Sequence, residues 1–115
     1  MTRHALVGLA LLLGVGAAQA HDYPTVERVL YVQQCMRDHP GPNFEMINKC
    51  SCAIDKIASE IIYDDYVSLS TVANAITIGG ERGAVLRDAE PMQDLARKFR
   101  KLNVEAKKSC FIRLD

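Results

Sequence analysis

Apolar residues recur every three or four positions along most of the chain, which is the spacing of one face of an α-helix. The first such stripe lies between residues 25 and 38 and contains Val26, Val29, Val32 and Met36, with Leu30 beside them. The next four residues, HPGP, hold two prolines and a glycine, which cannot continue a helix. We therefore predict a first helix over 25–38.

A second stripe follows after this turn and is confined to one helix face. It consists of Ile47, Cys50, Ile54, Ile57 and Ile61. Asn43 is a favourable N-cap for this helix, which we expect to extend to about Ile62. Because only one face is apolar, the helix is expected to pack against a partner helix.

The remainder of the chain predicts two further helices. Asp64 or Asp65 can cap a third, shorter helix that Gly79 closes. The segment GGERGAVLRD, residues 79–88, is then expected to be a loop or a single turn. Asp88 can cap a last helix whose inner stripe is Met92, Leu95, Phe99, Leu102, Ala106 and Cys110.

No stretch of strict apolar–polar alternation indicates a β-strand. The fold class predicted from these patterns is therefore all-α, with three long helices and a short crossover helix, stapled by two disulfides.

The N-terminus has the layout of a secretory signal peptide. A short basic start, an apolar run from Ala5 to Val15 and an Ala18-Gln19-Ala20 end match such a signal with its cleavage site. We predict a signal peptide over residues 1–20 and a single helical domain over 21–115, located in the periplasm. No second apolar run of spanning length follows, so membrane insertion is not expected after processing.

The balance of acidic and basic residues bears on the class of partner. The chain has 14 Lys+Arg and 14 Asp+Glu, and removal of the signal peptide takes away Arg3 alone. A chain so close to neutrality has no field that would attract nucleic acid. We expect another periplasmic protein as the partner, whereas composition does not specify the oligomeric state.

The four cysteines, Cys35, Cys50, Cys52 and Cys110, all lie in the predicted mature chain. An even number in a small exported domain is typical of a disulfide framework. Cys50 and Cys52 are two residues apart on a helix, so their side chains point about 200° apart and cannot readily bond each other.

Two pairings remain. Cys35 and Cys50 lie at more similar distances from the helix–helix turn than Cys35 and Cys52 do, which favours Cys35–Cys50 with Cys52–Cys110. Cys50 and Cys110 are both central in their apolar stripes, which favours Cys35–Cys52 with Cys50–Cys110. We expect the first pairing. Either one brings Cys110 beside the start of the second helix, so the last helix should run parallel to the first, and residues 63–88 must connect the two ends.

Two kinds of chemistry compete with a purely structural role. A thiol–disulfide oxidoreductase could use Cys50 and Cys52, although the pair lies well inside a helix and not at its N-terminus. A mature N-terminal His21 offers an α-amine and an imidazole, which together chelate Cu(II). No haem-attachment motif occurs, and no cofactor is expected.

The segments YVQQCMRDHPGPNFEMINKCSCAIDKIAS and GGERGAVLRD resemble those of small exported bacterial proteins. That family has a lone cysteine in the first helix, C-x-C in the second, a late fourth cysteine and, in one subgroup, a GGERG-like loop. Some members accompany periplasmic quinoprotein alcohol dehydrogenases. The family has no defined catalytic residues, so the resemblance implies none here.

These observations predict a non-enzymatic accessory or partner-binding factor. Charged and tyrosine-bearing loops are typical of contact surfaces. The residues expected to contact the partner are Arg82, Arg87, Asp64, Asp65 and Tyr66. Copper delivery through His21 and thiol exchange through Cys50 and Cys52 are the alternatives.

Overall fold

The computed structural model describes residues 22–115, so the predicted signal peptide and His21 lie outside the described part. Five α-helices follow one another, and no β-strand occurs among these residues. They are α1 (Thr25–Asp38), α2 (Asn43–Glu60), α3 (Tyr63–Ala75), α4 (Gly80–Asp88) and α5 (Glu90–Ser109). The predicted all-α class is confirmed.

The helix starts differ from the predicted caps by one to three residues. Pro42, not Asn43, precedes the first turn of α2, and its carbonyl accepts the Met46 N–H at 2.9 Å. Asp64 and Asp65 lie inside the first turn of α3 and do not cap it, and Asp88 ends α4. Acidic side chains in a first turn still stabilise a helix through its dipole, which explains why the helix starts were nearly correct.

The three long helices have the predicted directions. Cys52, near the middle of α2, is bonded to Cys110 at the end of α5, and the residues after α5 lie beside the α1–α2 turn, so α5 is antiparallel to α2. The hydroxyl of Tyr31 on α1 donates to Asn103 Oδ1 on α5 at 2.9 Å. The N-terminal half of α5 continues beyond α2 and packs against α3 through Tyr66 and Phe99.

The core is built around α2, which packs against both α1 and α5. Its largest fully buried side chains are Ile54, Ile57 and Cys50. Small residues of α5, Ala96 and Ala106, are also buried, which lets the long helix approach closely. Burial of one continuous face of α2 is what the predicted stripe requires.

Part of the stripe of α1 is exposed, whereas Val32 and Met36 pack against the core. Val26 is 61% exposed, Val29 48% and Leu30 53%, and Cys35 is the one buried residue of this helix. The reason is that α1 packs mainly against α2, so most of its circumference has no neighbour. Ile47 of α2 and Leu95 of α5 also remain partly exposed, at 42% and 37%.

Residues 80–88 are helical and not the predicted loop or single turn, and Gly79 precedes α4 instead of closing α3, which ends at Ala75. Gly80 has φ 77°, a conformation that other residues rarely adopt, and it allows the chain to turn into α4. The connection between α2 and α5 is therefore made by two helices, α3 and α4. Within residues 22–115, no helix has both the length and the apolar character needed to cross a membrane.

Candidate partner-binding site

The two disulfides are Cys35–Cys50 and Cys52–Cys110, each with a Cα–Cα distance of 5.9 Å. This is the pairing that distance from the turn favoured. Cys50 and Cys52 therefore bond different helices, as their opposite directions on α2 require. Cys50 has no exposed surface, and among the described residues no cysteine is free, which is the arrangement of structural bridges.

Tyr66 is a core residue and not an exposed contact residue. It is 7% exposed and lies 5.1 Å from the ring of Tyr23 and 5.8 Å from that of Phe99. Burial raises the pKa of Tyr66 to about 12. The predicted binding role of Tyr66 is thus replaced by a packing role, because α3 turns this side chain toward α5.

Arg87 is held by the backbone of its own chain. Its guanidinium donates to the carbonyl of Ile78 at 2.5 Å and to that of Gly80 at 3.1 Å. Ile78 lies in the turn that follows α3, and Gly80 is the first residue of α4. Arg87 therefore fixes the angle between α3 and α4, and this use of its donors competes with binding a partner.

Gly83, the last residue of GGERG, lies where the chain packs closely. An added Cβ would lie 1.7 Å from the Ile78 carbonyl oxygen, well inside contact distance. The side of α4 that carries Gly83 is therefore packed directly on the backbone of the preceding turn. Gly83 and Arg87 therefore both stabilise the turn between α3 and α4.

Gly83→Ala is expected to open this turn and destabilise α4 by about 1–3 kcal/mol, as overpacking does. Gly79→Ala is the matched control, because nothing lies within 4 Å of its added Cβ and its φ of −71° suits alanine. Amide hydrogen exchange across α4 measures the difference. Equal protection in both variants would contradict the close packing seen at Gly83.

The α4 tip, defined as Ile78, Arg82 and Val85, is what remains exposed in this region. Val85 is 73% exposed and Ile78 52%. Arg82 is three residues before Val85, so the two share one helix face, and Arg82 makes no ion pair with any described residue. The tip thus holds two exposed apolar side chains and, on the same helix face as Val85, a cation that makes no ion pair with the described residues.

The other predicted contact residues lie elsewhere. Asp64 and Asp65 are exposed in the first turn of α3, and α4 begins beyond the other end of that helix. Thirteen helical residues separate these ends by about 20 Å. The YDDY segment and the α4 tip are therefore separate surfaces.

A second exposed surface, the α1–α2 face, was not predicted from the sequence. It holds an apolar groove of about 410 Å³ between the two helices, with Val29, Val32, Met36 and Ile47 among its lining residues. The charged residues of the groove are Arg28 and Asp55, which pair with each other at 2.5 Å. The residues of α1 in this groove belong to its apolar stripe, but periodicity alone does not show which part of a stripe stays exposed.

A third feature is a cleft of about 550 Å³ between the α1–α2 turn and the C-terminal residues. The His39 Nε2 atom is buried there without a hydrogen-bond partner, and Phe111, at φ 61°, is 81% exposed. A hydrogen bond from Lys49 lowers the pKa of Glu45 at its edge. Opposite charges are mixed along the cleft, so its lining does not select one class of ligand.

Metal chemistry receives no support from residues 22–115. They contain no group of three or more His, Cys, Asp or Glu side chains arranged to hold a metal ion. His39 follows the C-terminal end of α1, about 20 Å along the helix from Thr25. His21, the residue of the predicted N-terminal copper site, lies outside the described residues, so this site stays a prediction.

The α4 tip and the α1–α2 face, which both expose apolar side chains, are the candidate binding surfaces. No protein-family model, curated protein or solved structure matches this chain.

Proposed function

We propose that the protein is a non-enzymatic accessory factor of the periplasm that binds another periplasmic protein through the α4 tip. The observation that carries this proposal is that exposed apolar side chains are held in place near Arg82, which makes no ion pair with any described residue. Val85 is 73% exposed on a helix that Arg87 and Gly83 lock to the end of α3. An apolar side chain fixed in this way loses little conformational freedom on binding.

The side chains of the α4 tip indicate what the surface of the partner must contain. Val85 and Ile78 require a shallow apolar pocket, and Arg82 requires a carboxylate at its rim, because guanidinium–carboxylate pairs add orientation as well as energy. The two disulfides agree with an oxidising compartment. The family resemblance makes a quinoprotein alcohol dehydrogenase system the first partner to test.

Val85→Asp is expected to weaken capture of the partner at least about tenfold, because a carboxylate would enter an apolar pocket unpaired. The test compares tagged wild-type protein with the variant in chemical cross-linking and capture from the exported fraction of the source cells. Arg82→Glu should also weaken capture, through the reversed charge.

The control is Val104→Asp, which makes the same change on α5, where Val104 is 38% exposed. Wild type and this control should retain the same protein, identified by mass spectrometry. Equal retention by all variants would place the contact away from the α4 tip, and retention by none would leave the protein without the proposed partner.

A further inference from the structure

The exposed apolar surface of α1 extends beyond the groove that it shares with α2. Val29, Val32 and Met36 line the groove, but Val26 and Leu30 do not. These two side chains are nevertheless 61% and 53% exposed. The α1–α2 face therefore consists of a groove and an adjoining apolar ridge, the ridge being Val26 and Leu30.

The width of this surface excludes a single helix as its complete occupant. At 100° per residue, Val32 and Leu30 point about 160° apart, with Met36, Val29 and Val26 between them. One amphipathic helix in the groove has an apolar stripe of about 100° and would leave the ridge in water. Covering both parts requires two helices side by side, which is what the α1–α2 hairpin itself provides.

The charges of the face permit contact with an identical surface. In a two-fold interface the same patch meets itself, so a patch with net charge repels its copy. Here Arg28 and Asp55 neutralise each other, and the polar lining residues are uncharged, namely Thr25, Gln33, Asn43 and Ser51. The face is therefore electrostatically compatible with a second copy of this chain.

We propose that the α1–α2 face binds a second copy of this chain, with the ridge of each copy in the groove of the other. The two α1 helices then run antiparallel about the two-fold axis. Val26 of one copy approaches the region of Met36 and Ile47 in its partner. Each hairpin supplies both a ridge and a groove, so the association closes at two copies.

The size of the face sets the expected affinity. A helix of the length of α1 is about 21 Å long, and two packed helices are roughly 20 Å wide. Such a surface lies at the small end of stable interfaces, so we expect a dissociation constant in the micromolar range. The proposal is independent of partner binding at the α4 tip, because it uses different residues.

Sedimentation velocity on the mature chain from about 1 μM to about 1 mM tests the proposal, because this range brackets a micromolar dissociation constant. Wild type should change from monomer to dimer with concentration. Val29→Asp should raise the dissociation constant at least about 100-fold, since each copy would bring an unpaired carboxylate into the interface. Val85→Asp, on α4, should dimerise as wild type does.

Leu30→Lys provides a second disruption with the opposite charge, in case one variant folds poorly. Retained helical circular dichroism and the absence of free thiols establish folding for each. A wild-type chain that stays monomeric throughout, or a dimer that survives both Val29→Asp and Leu30→Lys, would overturn the proposal. If wild type is monomeric and Val29→Asp abolishes capture of a different protein, the face belongs to that protein and the second copy is excluded.

Discussion

Replacing Cys52 and Cys110 together by alanine is expected to lower the free energy of unfolding by about 4 kcal/mol, because their bond spans 58 residues. In the chain-entropy account, breaking the bond restores the freedom of this long loop in the unfolded state. The bond also holds the end of α5 on α2, and Cys110 is only 3% exposed. For a domain of this size the loss is a large part of total stability.

Urea unfolding at neutral pH, followed by circular dichroism, measures the effect. The comparison is the double replacement of Cys35 and Cys50 by alanine, which releases a loop of 15 residues and should cost about 3 kcal/mol. If the short bridge proved far more important than the long one, local packing at Cys50 would dominate over loop length. If neither double variant lost stability, the staples would have no role in holding the fold.

Ile57→Ala is the single substitution with the largest expected cost, about 2–5 kcal/mol from the lost burial and the cavity left behind. Ile57 has no exposed surface and lies on the face of α2 that contacts the other helices. Because those helices are joined by disulfides, they are expected to collapse only partly into the space.

Ile47→Ala is the matched control, since it removes the same atoms from the same helix where the side chain is 42% exposed. Its cost should be below about 1 kcal/mol. Both are measured by urea unfolding at a protein concentration low enough that the midpoint does not depend on it. Equal costs at the two positions would show that the buried face of α2 has been assigned incorrectly.

Local sequence chemistry was sufficient for most of the fold. The bounds of α1, the start of α2 and the absence of strands within residues 22–115 follow from apolar periodicity, prolines and glycines, which act over a few residues. The direction of α5 followed from the 200° separation of Cys50 and Cys52, once each had to bond a different helix. The exact caps did not follow, because several side chains in one turn can stabilise the same helix start.

The candidate site was predictable in position but not in the role of each residue. Arg82 and its segment are exposed, as expected of a contact surface. Arg87 and Tyr66 are residue types that often occur in binding sites. In this structure, however, Arg87 hydrogen-bonds to backbone carbonyls, and Tyr66 packs among aromatic rings. The aromatic neighbours of Tyr66 are distant along the chain. The carbonyls that Arg87 contacts lie in a turn whose angle the sequence does not give.

By itself, the sequence determined four of the five helices, α4 excepted, and the presence of two disulfides between helices, because helix periodicity and the opposed directions of Cys50 and Cys52 are local properties. Only the tertiary structure decided which apolar stripe would be buried. The stripes of α1 and α2 look alike along the chain, but α2 lies between two helices and α1 lies at the edge. Burial depends on how many neighbours a helix has, and that number is a property of the packed molecule.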